Sequence, residues 1–440
     1  MSTIPAQRRW RRGTAYVVAV GVGLMVATIS LGGMAVARTR AASNKLRRDE
    51  VQARTLARAG IEHARALIKA DAAWRTNRTN GTWISAQELQ DGAFDVSVTN
   101  PAGALNRSEL DPVVVVGDAS VGLARQRLSL QLDAKTVPLS CLAVPLTVNG
   151  AITATASVLN PSGATVTTNI SFTSVLATIR PNVEAVTTII GTGFQGTTSA
   201  GAKAREVPPS SVFDSYIAAG TTIAVSSLPT ISLKPTMQKV VLSPSSNPYG
   251  APNAQGIYVL DCQNQSVVIQ NCRIVGTLVL LNPGASTAVA GSVRWDPAVA
   301  NYPCLMVRGG IALNLSSSSL SENSLNVNFN PPGTPHAYPA GSTDTDTNDS
   351  YTSSIAGLVY ASGNVSTSNA PSVSVLVVGG SLTLGGTLTL AYSSAFYDSP
   401  PPGFYTVRMV PSQGSWRRVI DDPPESATAI TGSVAAEGGL

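Results

Sequence analysis

Residues 379–390 read GGSLTLGGTLTL: two near-identical short strands, Ser-Leu-Thr-Leu and Thr-Leu-Thr-Leu, each preceded by Gly-Gly. Alternation of period two marks a strand with one apolar and one polar face. Glycine supplies the tight corners between such strands. Strand, corner, strand, corner is the signature of stacked coils, although the same twelve residues also fit a single hairpin.

Working outward, related runs recur at 266–282 (SVVIQNCRIVGTLVLLN), 307–316 (VRGGIALNLS), 325–330 (LNVNFN), 356–368 (AGLVYASGNVSTS) and 372–392. Each has a few apolar residues, a Gly or Asn corner, then more, without a fixed period. From 140 to 440 only 11 residues are basic and 14 acidic, about 8% of 301 positions. The expected fold of residues 136–420 is therefore a mainly-β domain, a parallel β-helix, with a long-stranded β-sandwich as the alternative. Inward Val, Ile and Leu would form its core. The proline-rich stretches 207–211, 328–339 and 398–404 are expected to project from it as loops, and 421–440 to be a flexible tail.

The other decisive stretch lies at the opposite end of the chain. From Gly13 to Ala37 run 25 uncharged residues, GTAYVVAVGVGLMVATISLGGMAVA. As a helix they cover roughly 37 Å, enough for a ~30 Å hydrocarbon layer. Arg8, Arg9, Arg11 and Arg12 precede the run and Arg38, Arg40, Lys45, Arg47 and Arg48 follow it, so charge does not orient it. Ala35-Val36-Ala37 also has the form of a signal-peptide cleavage site, but an apolar signal core is usually ~7–15 residues, shorter than this run. The reading is a basic cytoplasmic leader over 1–12 and a transmembrane helix over 13–37.

The net charge of +5 belongs to that flank. Residues 1–60 hold 11 of 30 basic residues and 2 of 25 acids, a local +9; the rest of the chain is −4. No basic stripe with interleaved aromatics follows, so no nucleic-acid partner is expected. The 12% charged content, about half the usual share, argues against disorder and against a coiled coil.

Residues 38–73 lack proline and carry one glycine, with apolar or small residues at Leu46, Ala53, Leu56, Gly60, Ala64 and Leu67, and Ala57, Ile61 and Ile68 alongside. That spacing extends the helix to about residue 73. Period-two runs at 94–98, 113–116 and 128–132 then predict a small antiparallel sheet packed on it. Small-x-x-x-small pairs in the membrane run, Gly23 with Ala27 and Thr28 with Gly32, are candidates for helix packing in lipid, either with itself or with similar helices.

RRGTAYVVAV (11–20) and LARAGIEHARALI (56–68), with its Ala59-Gly60-Ile61-Glu62 core, resemble the N-terminal modules of PilX-type minor pilins and of the large minor pseudopilins of type II secretion. The resemblance covers about residues 8–135. It implies a pilin-like α+β module over 38–135, a prepilin cleavage between Gly13 and Thr14, pilin-like partners, and a single pass through a bacterial inner membrane with the bulk of the chain extracytoplasmic. Val18 stands where major pilins have a glutamate, and Arg58 where the juxtamembrane pattern tends to have one. The stretch 247–284 resembles anchored bacterial proteins, many planctomycetal, that join a pilin-like start to a β-helical end.

For chemistry, the two histidines are His63, on the helix, and His336, in a proline-rich loop, and no nucleophile, phosphate-loop or zinc motif surrounds them. Asp261, Asp296, Asp344, Asp346, Asp349 and the pair Asp421–Asp422 are the carboxylates available to a β-helical sugar-cleaving enzyme. DTDTND at 344–349 alternates oxygen ligands, but an EF-hand fails because Asp349 and Ile355 stand where glycine and glutamate are required. Without C-x-x-C a zinc site is not expected. Cys262 and Cys272, ten residues apart, are candidates for a disulfide between adjacent turns; the alternative is reduced, buried thiols alongside Cys141 and Cys304. The expectation is a non-enzymatic envelope protein without a cofactor, the alternative an anchored protein that binds or cleaves polysaccharide.

Overall fold

The computed structural model describes residues 10–155, 158–159, 165–333 and 343–419. The chain divides into two compact units, residues 1–135 with 407–440, and residues 136–406.

In the first unit a single helix, α1 (Trp10–Ala70), runs for 61 residues, about 90 Å. Its C-terminal part buries Ala53, Leu56, Ala57, Gly60, Ile61, Ala64 and Ile68. Leu46, counted in the stripe from sequence, is exposed. The face lies on an antiparallel sheet of β1 (Gly81–Leu89), β2 (Gly92–Thr99), β3 (Val113–Val121) and β4 (Ala124–Pro138), whose Phe94, Val96, Val98, Val113, Val115, Leu130 and Leu132 complete one core. Glycine decides how closely helix and sheet approach. A Cβ on Gly60 would stand 2.8 Å from the Phe94 ring, and one on Gly117 would run into the carbonyl of Ala57.

Three strands of this sheet escape the sequence reading. β1 is broken by register shifts at Thr82/Ile84 and Ile84/Gln87, which erase its alternation. Tyr405–Pro411 is the strand beside β4, and Arg417–Arg418 pairs with Ser129 and Leu128. The stretch 407–418, carried with the β-rich region in the sequence reading, thus belongs to the sheet of the first unit, and residues 136–406 are an insertion between two of its neighbouring strands.

The second unit is a mostly parallel β domain whose main sheet has 23 strands among the described residues. Its pairings form three ladders. The first runs through Thr221–Ala224, Ile257–Asp261, Thr277–Leu281, Leu305–Arg308, 358–361, 375–378, Leu146–Val148, Thr165–Thr168, Asn182–Ala185 and Thr198–Ala200. The second includes 288–291, Ile311–Leu315, Val365–Thr367, Leu382–Leu384, Ile152–Ala154, Ser171–Ser174 and Thr188–Gly191. The third includes 272–275, 293–296, 354–355, 372–373, Leu388–Leu390 and Val158–Leu159. Corners between ladders fall where residues take positive φ, as at Asn271 (φ 48°), Asn282 (φ 48°) and Asn369 (φ 59°).

The spatial order differs from the chain order. Leu376–Val378 pairs parallel with Leu146–Val148, so the stack runs from 221 to 390 and continues at 146 to 200. Residues 201–220, with a helix at Val212–Ala219, connect its two ends. Residues 379–390 are the seam: Leu382–Leu384 lies between Val365–Thr367 and Ile152–Ala154, and Leu388–Leu390 belongs to another ladder, so they form no hairpin. Paired residues stand 17 apart at Val365/Leu382, 20 at Ile152/Phe172 and 54 at Met306/Tyr360, which is why no fixed repeat appears in the sequence.

Leu278, Leu280, Val289, Leu305, Leu376 and Leu382 are among the residues of the interior core. A second core covers the outside of the first ladder, where Val212, Phe213 and Tyr216 pack with Val259, Val279, Met306, Leu358, Val375, Val377 and Phe404. Two proline stretches help form that cover rather than projecting: Tyr360 donates its hydroxyl to the carbonyl of Pro208 (3.2 Å) and Tyr216 to that of Pro402 (3.1 Å).

Candidate functional site

The most conspicuous surface is on α1. Over residues 15–37 every position is exposed, and Tyr16 and Ile29 are each 73% accessible. The helix is long and apolar enough to cross a membrane. Gly23, Ala27, Thr28 and Gly32 all lie on this exposed stretch. A Cβ built on Gly23 or Gly32 meets nothing within 4 Å, so no described residue occupies that stripe. The Thr28 hydroxyl donates back to the carbonyls of Leu24 (3.0 Å) and Met25 (2.9 Å), satisfying its polar group within the helix. Gly13 and Thr14 fall in the first turns of α1.

The proposed disulfide is corrected. All four cysteines are free and buried. Cys262 follows a strand of the first ladder and Cys272 sits in the third, paired with Val293. Their ten-residue separation carries them onto two sides of the same coil, not onto neighbouring turns. Burial pushes the thiols of Cys141, Cys262 and Cys272 up to about 12.

The carboxylates singled out from sequence do not converge. Asp261 accepts from the Gln263 amide (3.0 Å) and the Asn282 side chain (3.0 Å), which hold its carboxyl below the usual range. Asp296 is paired with Arg294 at 2.6 Å. In the 344–349 loop, Asp344 accepts from the amide of Asp346 (3.2 Å) and Asp346 from that of Asn348 (2.9 Å), so these oxygens serve the turns of their own loop. Among the described residues no group of three or more His, Cys, Asp or Glu is placed to hold a metal ion. His63 is exposed on α1; His336, Asp421 and Asp422 lie outside the described residues.

Sequence reasoning missed a buried polar network in the excursion 316–353. Glu322, fully buried, accepts from the amides of Phe329 (2.5 Å) and Asp349 (3.2 Å) and from the Tyr351 hydroxyl (3.1 Å). Arg273, on the outer side of the third ladder, donates to the Phe329 carbonyl (2.8 Å) and lies 5.3 Å from the Tyr351 ring. Burial lowers the Arg273 pKa and raises that of Tyr351. The network ties the excursion to the stack. Its available signal was an arginine inside the apolar run around QNCRIVG, since a charge in a buried strand needs partners.

No family model matches the chain, and no curated protein does. Among solved structures the chain is similar to the competence-associated pilin ComZ from Thermus thermophilus, with 12% identity, 84% of this chain and 97% of that chain covered, and a TM-score of 0.22. So loose a superposition carries no argument about fold or function.

Proposed function

We propose that this is a non-enzymatic structural protein of a bacterial cell envelope, anchored in the inner membrane by residues 13–37 and presenting the remainder extracytoplasmically. On this reading the first unit is a pilin-type module of the PilX or pseudopilin kind, a minor component of a type IV pilus or type II secretion-like filament. The three ladders are the faces of a parallel β-helix inserted into that module. Gly13–Thr14 is the prepilin cleavage site, and Gly23, Ala27, Thr28 and Gly32 pack against similar helices or further copies.

One observation carries the reading: a single helix bears two kinds of surface. Residues 15–37 are apolar and bare on all sides, while residues 53–68 bury one narrow stripe against a sheet. A soluble protein has no use for the first surface. The test is Leu24→Arg with Val26→Arg, which adds about 2.5–3.5 kcal/mol per charge to insertion. The double variant should leave the membrane fraction; if it still sediments with membranes, the anchor reading fails.

A second reading, a polysaccharide-binding face, is favoured by the outside of the second ladder. There Ala312, Ser366, Thr383, Thr153 and Thr173 stand in register on successive strands, an uncharged row of small side chains. Co-sedimentation with insoluble cell-wall polysaccharide, lost on Thr153→Glu with Thr383→Glu, would support it.

A further inference from the structure

The first unit holds a strongly basic hollow that neither reading uses. Arg54 and Arg58 stand one turn apart on α1, and Arg417 and Arg418 lie on the short strand paired with Ser129 and Leu128. With Thr55, Gln126, Leu128 and Trp416 they line a cleft of about 490 Å3. The Arg58 guanidinium sits over the Trp416 ring, 5.4 Å from its centre. Among the described residues no acidic side chain lines the cleft. Arg65, Arg125, Arg205, Arg294 and Arg308 each have a carboxylate within 3.0 Å, whereas none of these four has an ion-pair partner among the described residues.

Four guanidiniums around one hollow repel each other, and a chain with so few charges has placed four of one sign together. Guanidinium forks match the oxygens of phosphate bidentately, and the half-exposed Trp416 gives the cleft an apolar wall. We propose that this cleft binds a phosphate-bearing ligand. Two sources share that chemistry, a lipid headgroup and a soluble phosphate compound, and the helix discriminates between them. Arg54 lies 17 residues beyond Ala37, about 25 Å along the axis, whereas headgroups extend only about 5–8 Å past the hydrocarbon. The soluble source is the one in reach. The choice of source rests on residues 13–37 being the anchor; the phosphate site itself does not.

The experiment is calorimetric titration of the full chain in nanodiscs with tripolyphosphate. The expected result is saturable binding, weakened at least tenfold by Arg54→Gln with Arg417→Gln, weakened severalfold by Arg58→Lys, and unchanged by Arg65→Gln, whose partner is Glu62. Unaltered thermal melting separates loss of the site from loss of the fold. Two arms identify the source and class. Capture by phosphatidylglycerol vesicles without tripolyphosphate binding overturns the soluble assignment, and equal binding of poly-glutamate of matched charge overturns the phosphate class. Absence of both tripolyphosphate binding and vesicle capture, or binding indifferent to the arginine variants, overturns the site.

Discussion

The first and second ladders of the parallel unit belong to the same coils, yet their sequences follow different rules. Along the middle of the first, strands read as unbroken apolar runs: Ile257-Tyr258-Val259-Leu260 and Val375-Leu376-Val377-Val378 are buried at every position. Along the second, Leu382-Thr383-Leu384 and Ile152-Thr153-Ala154 alternate buried with exposed. The cause is the number of covered faces. Tyr258, Leu260, Leu376 and Val378 point into the interior core, while Ile257, Val259, Val375 and Val377 point outward under the connector helix and the proline segments. Among the described residues the second ladder has no such cover: Thr153, Ser366 and Thr383 are exposed. Period two reports one dry face, and its loss reports two.

The sharpest way to break this comparison is a matched pair of aspartates. Val377→Asp puts a carboxylate under the connector with no partner, and should cost roughly 4 kcal/mol or more in urea unfolding of the parallel unit. Thr383→Asp, outward on the second ladder, should stay within about 0.5 kcal/mol. Equal costs would mean the two faces are covered alike.

The next largest effect concerns the cover itself. Phe213→Ala removes a fully buried ring from the connector helix and should cost about 3–5 kcal/mol. Hydrogen exchange should rise first at residues 212–219 and not along the second ladder.

Interior positions should erase the difference. Leu260→Ala and Leu384→Ala, one in each ladder, are both fully buried in the same core and should each cost about 2–5 kcal/mol. A clearly smaller value at Leu384 would show that the second ladder is less well packed inside as well as outside.

The smallest effect uses the thiols. Cys141 lies in the core outside the first ladder and Cys262, Cys272 and Cys304 lie inside, so both sides should exclude water. Burial raises the folded pKa of Cys141, Cys262 and Cys272 from an ordinary 9 to about 12. A folded value above the unfolded one contributes stability in full below pH 9, and that contribution is lost as pH climbs from 9 towards 12. Thermal melting should fall over that window, less steeply in Cys272→Ala, and iodoacetamide at pH 8 should modify none of the four until the chain unfolds.

Much of the first unit was legible. Ala53, Leu56, Ala57, Gly60, Ile61, Ala64 and Ile68 declared a helical stripe, and Phe94, Val96, Val98, Leu130 and Leu132 declared strands, because each signal lies within a few residues of chain. β1 escaped because its bulges shift the alternation partway along. The site was read in reverse proportion. The bare apolar helix was plain in the sequence, whereas the basic cleft joins residues 54 and 58 to 417 and 418, which no local pattern links.

The sequence by itself determined the uncharged span from Gly13 to Ala37, the one-sided stripe that follows it, and the short β runs with Asn and Gly at their corners. These are properties of side chains spaced along a helix or strand, and they hold whatever the chain later touches. Only the tertiary structure decided that the coil ending at residue 390 rests on the one beginning at 146, and that residues 405–411 return to the edge of β4. Parallel ladders are joined by backbone amides and carbonyls that every residue but proline carries alike. Leu382-Thr383-Leu384 therefore bears no label naming Ile152-Thr153-Ala154 as its neighbour 230 residues away. The choice is made by which faces remain dry when all the coils are stacked.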